Sequence, residues 1–262
     1  MKRFDLVFVL SLGLLAFFVG HEALAARQRG MQRTISFGAT PLTDVRSAGG
    51  EAARTTVRSR IVSSLRGTSD VADVRRRLEL SSPGTYIGEV LAARDSSLAR
   101  WPDRRTNPLR VWVQPSAPIR DFIPEFVPIV RNAFSEWREA GVPVAFTFVF
   151  DSTMADVRVT WLDHFKESIS GKTLWAHDDG WWIVDAQIML AVHHRSGEPL
   201  DTSAMRAISL HEVGHLIGLD HTADTTAIMT PKVRVKELSA ADRATAQLLY
   251  LLPPGRIGAS AR

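Results

Sequence analysis

The sequence predicts an α+β domain, and two patterns support this fold class. Apolar and β-branched residues form four strand-like segments, at residues 109–113, 144–150, 157–161 and 186–192. Apolar residues at helical spacing predict three helices. The first spans 124–137, and the last runs from Ser239 to about Leu252. Between them, a helix starts at Thr202 or Ser203 and carries residues 211–215. Because most of the strands precede the last two helices, the order of elements is typical of an α+β domain.

The individual elements follow from local residue patterns. Leu109, Val111 and Val113 alternate with more polar or larger neighbours, which predicts a half-buried strand. The first helix directs one set of side chains toward the core: Phe126, Ile129, Val130, Phe134 and Trp137. Gly and Trp residues, without a clear period, predict a long loop at residues 166–185.

The two last helices have clear start and stop signals. Met205, Ile208 and Leu216 share the apolar face of the helix that begins at Thr202 or Ser203. Ser239 is a typical N-cap for the final helix, and the two prolines at 253 and 254 end the domain.

Length and composition set the domain organisation. The chain has 262 residues, of which 45% are hydrophobic, enough for one medium domain with an N-terminal extension. We expect the extension at 26–100, the main domain at 101–253 and a short tail at 254–262. The absence of cysteine excludes disulfides, thiolate metal sites and cysteine nucleophiles.

The first 25 residues have the three parts of a secretory signal peptide. A basic start at residues 1–3 is followed by an apolar run at 6–19 and by small residues at Ala23 and Ala25. We expect cleavage after Ala25, with an uncleaved membrane anchor as the alternative. Either interpretation places the bulk of the chain outside the cytoplasm. The protein would then be secreted, periplasmic or anchored to a membrane.

The segment that follows, residues 27–67, is rich in Arg, Ser, Thr, Gly and Ala. Its composition predicts a solvated basic linker. Its arginines could instead contact anionic lipid or nucleic acid, but no aromatic residues are interleaved with these charges. We therefore expect no nucleic-acid partner, and membrane contact only through an uncleaved N-terminus.

Residues 211–221 carry the chemistry, because they fit the pattern H-E-x-x-H-x-x-G-x-x-H at every fixed position. His211 and His215 are four residues apart, so a helix presents both imidazoles on one face. Gly218 can end that helix, which lets His221 fold back as a third metal ligand. Three protein ligands leave one position on a tetrahedral zinc ion for water, and Glu212 can reach that water.

Two other readings of this stretch remain. A helix could bury these polar residues without a metal, at a high desolvation cost. A purely structural zinc would normally have a fourth Cys or His ligand, and the chain has no Cys.

At this point the chain resembles the metzincin metalloproteases, and within them the matrixins. Besides the zinc motif, residues 227–231 are similar to the Met-turn of this family, and Met229 follows His221 by eight residues. Astacins and serralysins have a Tyr ligand at the position of Pro231, which argues against both of these groups. The Leu238-Ser239-x-x-Asp242 stretch is similar to the start of the matrixin C-terminal helix. The resemblance implies a metzincin-type zincin domain, with a twisted mixed sheet, an active-site helix and a C-terminal helix.

The resemblance also implies a function. It suggests a zinc metalloendopeptidase that binds one catalytic Zn²⁺ at His211, His215 and His221, with Glu212 as general base. The signal-like N-terminus adds export to this expectation, and we expect a monomer. Met229 would form a hydrophobic floor beneath the site. A protein or peptide substrate would extend along the predicted strand 186–192, next to three of its residues, Ile188, Met189 and Leu190, and Val233 would line the specificity pocket.

Further metal sites are less clearly marked. Matrixins of the animal type hold a second zinc, but Gln187 stands where one of its His ligands would be, so we expect a single zinc ion. Asp178, Asp179 and Asp185 could bind Ca²⁺ or form a solvated acidic loop. Trp175, Trp181 and Trp182 could line the cleft or pack on the sheet. The alternative function is a catalytically weak, surface-anchored binding protein that retains the zinc site.

Overall fold

The computed structural model describes residues 73–257, which fold around one five-stranded mixed sheet. The strands of this sheet are β2 (Arg104–Val113), β3 (Val144–Phe148), β4 (Val157–Leu162), β5 (Gly171–His177) and β6 (Ile183–Ala191), in the order β3-β2-β4-β6-β5. All neighbouring strands are parallel except β5, which is antiparallel to β6. A second, two-stranded antiparallel sheet pairs β1 (Ser97–Leu98) with β7 (Gly255–Arg256).

Four helices pack on this framework: α1 (Ile87–Ala93), α2 (Phe126–Glu139), α3 (Thr202–Leu216) and α4 (Ala240–Leu251). A 3₁₀ turn spans Ser152–Met154, and the described chain begins in a helical segment, 73–81. Within residues 73–257, every helix is too short or too polar to cross a bilayer. The predicted signal peptide or anchor and the basic linker at 27–67 lie outside the described residues. The predicted α+β fold with a mixed sheet is confirmed.

The prediction of a long loop at residues 166–185 is wrong, because β5 occupies the middle of it. Lys172, Thr173 and Leu174 pair in register with Met189, Ile188 and Gln187 of β6. Most side chains of β5 are only partly buried, which is typical of a strand at the edge of a sheet. Without a buried apolar face, β5 lacks the alternation of hydrophobicity by which strands are recognised in a sequence.

Helices α2 and α3 pack against each other, and α3 also packs on β5 and β6. The Trp137 indole Nε1 of α2 donates a hydrogen bond of 2.8 Å to the Leu210 carbonyl of α3. Leu210 and Met205 of α3 are fully buried in this contact region. The N-cap of α3 is Asp201, whose carboxylate accepts from the Ala204 amide at 2.6 Å, so the predicted cap at Thr202 or Ser203 is wrong by one residue or two.

The last helix begins as predicted, with a capping box. The Ser239 hydroxyl accepts from the Asp242 amide, while the Asp242 carboxylate accepts from the Ser239 amide at 2.8 Å. Asp242 is fully buried, and its other oxygen accepts a hydrogen bond of 2.8 Å from the Tyr86 hydroxyl. The same carboxylate thus joins α4 to a segment more than a hundred residues earlier in the chain.

The hydrophobic core includes residues that the sequence assigned to the N-terminal extension. Ile87, Val90, Leu91 and Leu98 are all fully buried in the same cluster as the main sheet. The packed unit therefore starts earlier than residue 101, and residues 86–100 are part of it.

A buried histidine joins two loops at the end of β6. The His193 ring is 3% exposed, its Nδ1 lies 2.8 Å from Asp163 and its Nε2 lies 3.0 Å from Asp121. The bond with Asp121 and, after it, the bond with Asp163 raise the pKa of His193, while burial opposes this shift. The pKa of Asp163 is lowered, first by its hydrogen bond with His164 and then by His193.

This Asp–His–Asp contact predicts a pH dependence of stability. A raised histidine pKa stabilises the fold fully below the unfolded value of about 6.5, and this contribution is lost as the pH rises through the folded pKa. A lowered aspartate pKa stabilises above the unfolded value of about 3.9 and is lost on acidification. We therefore expect His193→Gln to lower the free energy of unfolding most between about pH 4 and 6.5. Urea denaturation at several pH values measures this difference.

His164→Gln is the matched control, because His164 contacts the same carboxylate but its side chain is 47% exposed. It should change the stability little at any of these pH values. Equal losses in the two variants, or a His193 effect that grows above pH 8, would contradict the assignment.

Helix α3 ends at a glycine that no other residue can replace without strain. Gly218 has φ +107°, and a Cβ atom added to it would lie 2.3 Å from the Ala99 carbonyl oxygen. Both the backbone conformation and the contact with a rigid backbone atom oppose a side chain. The predicted termination of the helix at Gly218 is confirmed, since the last helical residue is Leu216.

We expect Gly218→Ala to lower the free energy of unfolding by about 1–3 kcal/mol from the strained φ alone, with the steric contact adding to the loss. Gly197→Ala is the control, because Gly197 also has a positive φ, of +87°, but has open space around its Cα. The difference between the two variants in chemical denaturation isolates the effect of the close approach to Ala99. Equal losses would mean that this approach does not matter.

Candidate metal centre

Three histidine side chains converge at the C-terminal end of α3. The Nε2 atoms of His211 and His215 lie 3.1 Å apart, those of His215 and His221 3.2 Å, and those of His221 and His211 3.3 Å. Helix α3 supplies the first two, and the turn at Gly218 brings the third back toward them. The spacing that the sequence predicted is thus present as a compact triangle of nitrogen atoms.

Backbone carbonyls fix the orientation of two of these rings. The His211 Nδ1 lies 2.8 Å from the Ile228 carbonyl oxygen, and the His215 Nδ1 lies 3.1 Å from the Leu219 carbonyl oxygen. A carbonyl oxygen only accepts, so each Nδ1 must carry the proton and donate it. In the neutral ring the Nε2 atom then has a free lone pair that points into the triangle.

The triangle fits a zinc ion. Ligand nitrogens at about 2.0–2.1 Å from a tetrahedral zinc lie about 3.3 Å from one another, close to the three observed distances. Without a cation, lone pairs at this separation would repel each other. Within residues 73–257, the three histidines are also the one group of His, Asp or Glu residues whose ligand atoms are close enough to hold a metal ion.

Electrostatics keeps two of the rings neutral. Burial lowers the pKa of His211 to about 4, partly offset by its bond to the Ile228 carbonyl. Burial also lowers the pKa of His215, and the neighbouring imidazoles lower it further. A metal ligand must be deprotonated at Nε2, so these rings are ready to bind a metal at neutral pH.

Glu212 lies beside the triangle and is almost fully buried, at 4% exposure. The Thr173 hydroxyl of β5 lies 2.6 Å from a carboxylate oxygen of Glu212 and 2.9 Å from its backbone carbonyl, so it can donate to either. Burial raises the pKa of the Glu212 carboxyl to about 7, while the hydrogen bond from Thr173 acts in the opposite direction. A carboxylate with a pKa near neutrality is suited to accept and return a proton.

Thr173 is a site residue that the sequence did not reveal. It belongs to β5, which we had predicted as a loop, and its contact with Glu212 spans 39 residues of sequence. A single threonine without a motif gives no signal of such a contact.

Met229 lies under α3, as expected from the resemblance. It is fully buried, and a Cβ atom on Gly214 would lie 2.3 Å from its sulfur. The Met229 turn is also tied to the histidines: the Ile228 amide donates to the Asp242 carboxylate at 2.9 Å, and the Ile228 carbonyl holds His211. The methionine thus packs against the helix that carries two of the three histidines.

The prediction that a substrate extends along β6 is wrong for geometric reasons. Ile188, Met189 and Leu190 pair with β4 on one side and with β5 on the other, so their backbone groups are already used. Ile188 and Leu190 also have side chains that are fully buried. Within the described residues, β5 pairs only with β6, and its outer edge is free to pair with another strand.

The remaining predicted residues have varied surroundings. Val233 is half-buried at the edge of the core, and its part in a pocket stays a prediction. Trp175 and Trp181 pack against the core, and the Trp182 ring lies 4.7 Å from the Arg100 guanidinium. Packing on the sheet therefore describes these tryptophans better than an open cleft rim.

The acidic residues proposed for Ca²⁺ have protein partners. Asp185 lies 3.2 Å from the Arg158 guanidinium, and one Asp178 oxygen accepts from the Gly180 and Trp182 amides at 2.9 Å. His177 stacks on Trp181 with a ring separation of 4.4 Å. Calcium binding by this loop stays a prediction.

Comparison with known proteins shows similarity in the region that carries the triangle. Residues 123–251 match the family model of the matrixins, the M10 peptidases. The chain is also 30% identical over 122 residues to Metalloendoproteinase 1-MMP of Arabidopsis thaliana, a match that covers 40% of this chain and 31% of the plant protein. The matched residues include the three histidines, Glu212 and Met229. Residues 123–251 are therefore similar to a matrixin domain, and the mixed α+β fold is consistent with one.

Proposed function

We propose that this protein is an exported zinc metalloendopeptidase that cleaves internal peptide bonds. The observation that carries the proposal is the triangle of imidazole Nε2 atoms, whose separations fit a tetrahedral zinc ion with one position open. The matrixin match over residues 123–251 supports the same activity. Export is proposed from the signal-like pattern of the first 25 residues.

The chain's own residues have distinct roles in this reaction. When bound, zinc would supply a Lewis acid that lowers the pKa of water and polarises a carbonyl group. His211, His215 and His221 would hold it through their Nε2 atoms. The Glu212 carboxylate accepts a proton from the attacking water and returns it to the nitrogen of the leaving amine. Thr173 donates a hydrogen bond that holds the Glu212 carboxylate in place.

We propose that the substrate peptide binds along the free edge of β5. An added strand would form backbone hydrogen bonds with residues 171–177, which would supply affinity independently of the peptide sequence. Thr173 contacts Glu212 from this same strand, so a peptide at this edge passes next to the general base. Val233 remains our candidate for the pocket that selects a side chain.

The alternative is a binding protein that keeps the zinc site but turns over slowly. The position of Glu212, buried and hydrogen-bonded beside the triangle, favours an enzyme. Measurement of metal content and peptide cleavage on the same samples separates the two functions.

We expect the purified chain to bind about one zinc per molecule and to cleave peptides, and Glu212→Gln to keep the zinc while losing activity. Loss of a general base typically lowers kcat by about 10²–10⁴-fold. Metal analysis and a fluorogenic peptide library measure the two properties.

Glu139→Gln is the control, because Glu139 is an exposed residue at the end of α2 with a side chain that is 66% exposed. It should behave as wild type in both assays. Unchanged cleavage by Glu212→Gln would rule out its role as the base, and zinc binding without any cleavage by the wild type would favour the binding protein.

We expect Thr173→Val to lower kcat by about tenfold to a hundredfold, because a hydrogen bond to a charged group contributes about 1.5–3 kcal/mol. Thr173→Ser keeps the hydroxyl and should stay close to wild type. Both variants should retain zinc, since the Thr173 hydroxyl hydrogen-bonds to Glu212 and not to the histidine rings. Equal kcat values for the Thr173→Val and Thr173→Ser variants would show that the hydroxyl does not position Glu212.

A further inference from the structure

The loop that carries the third histidine is held from outside the matrixin-matched region. This loop, residues 218–223, connects the end of α3 to the Met229 turn and contains His221. The residues that hold it, Glu89 and Arg94, belong to α1 and its C-cap, which precede the matched residues 123–251. We call these two residues the α1 clamp.

Arg94 makes the larger set of contacts. Its guanidinium donates to the Gly218 carbonyl at 2.8 Å, to the Leu219 carbonyl at 2.8 Å and to the Asp220 carboxylate at 3.0 Å. The side chain is only 12% exposed, and it lies 5.0 Å from the centre of the Trp175 ring of β5. Three acceptors in a row on one loop match the planar fork of a guanidinium, and a lysine ammonium could not bind them all in this geometry.

Two of these acceptors also bind a histidine. The Leu219 carbonyl accepts from both Arg94 and the His215 ring, and the Asp220 carboxylate accepts from both Arg94 and the His221 amide at 2.8 Å. Arg94 therefore shares one acceptor group with the ring of His215 and another with the backbone amide of His221. Groups at this distance from a metal orient its ligands.

Glu89 holds the other end of the same loop. Its carboxylate accepts from the Thr222 hydroxyl at 2.9 Å and from the Ala223 amide at 2.7 Å. The loop is thus fixed on both sides of His221, which otherwise has a side chain exposed to solvent.

We propose that Arg94 is a positioning residue for the metal centre: it fixes the loop that orders His215 and His221 and thereby sets the affinity for zinc. The inference rests on the proposed zinc site. Residues 86–101 would then contribute to metal binding, although they lie outside the segment that matches the family model. Arg94 touches neither metal nor substrate, so its effect passes entirely through the loop.

The experiment compares two partly buried arginines of the same segment in the full chain. Arg94→Met removes the arginine of the clamp and leaves Glu89 in place. Arg100→Met removes a guanidinium that also lies over a tryptophan ring and donates to a backbone carbonyl, that of Leu252. Zinc dissociation constants are measured by competition with a chromophoric chelator, and thermal stability is measured on the same samples. We expect Arg94→Met to weaken zinc binding by about 10–100-fold and Arg100→Met to stay within about threefold of wild type.

Cobalt substitution gives a second readout that a general loss of stability would not produce. The d–d absorption of Co²⁺ reports the geometry of its ligands, so we expect the spectrum of Arg94→Met to differ from those of wild type and Arg100→Met. If Arg94→Met does not fold, the zinc affinities of Arg94→Lys and Arg100→Lys are compared instead. We expect weaker zinc binding only in Arg94→Lys.

Wild-type zinc affinity in Arg94→Met, or an equal loss in both arginine variants, would overturn the inference and leave the proposed enzyme intact. A wild-type chain that binds no zinc would instead overturn the proposed function, and this inference with it.

Discussion

The candidate metal centre depends on one constraint: three imidazole rings must turn their Nε2 atoms toward a single point. Each of the first two rings is oriented by a backbone carbonyl that accepts its Nδ1 proton, Ile228 for His211 and Leu219 for His215. Both carbonyls belong to the chain that follows α3, so the ring positions depend on the turn at Gly218 and on the Met229 turn. The candidate metal centre is therefore built from backbone geometry as much as from side chains.

Much of the surrounding structure supports these two carbonyls. Asp242, fully buried at the start of α4, binds the Ile228 amide and the Tyr86 hydroxyl. Arg94 binds the Leu219 carbonyl. A buried carboxylate or guanidinium is costly unless its partners are satisfied, and here the partners are the loops that hold the site. Polar groups in the core thus fix loop positions that hydrophobic packing alone would leave adjustable.

The order of the strands carries the proposal for substrate binding. In the order β3-β2-β4-β6-β5, and within residues 73–257, β5 is the strand with an unpaired edge on the side of α3. Since Thr173 of β5 contacts Glu212, the proposed peptide at this edge would lie next to the proposed general base. A polar, half-buried strand is required for this role, and this is why it resembled a loop in the sequence.

The sequence by itself determined the chemistry: the 211–221 spacing identified the three histidines, Glu212 and the glycine that ends the helix, because helical periodicity and the positive φ of glycine are local properties. It also predicted α2, α4 with its Ser239 cap, and most of the central sheet. Only the tertiary structure decided which strand forms the free edge, and our proposed substrate path therefore follows β5 instead of Ile188, Met189 and Leu190. Only the tertiary structure brought Thr173 to Glu212 and Arg94 to the histidine loop. These contacts join residues that are distant in sequence. Hydrophobic periodicity and short motifs are local properties, so they do not predict which distant residues come into contact.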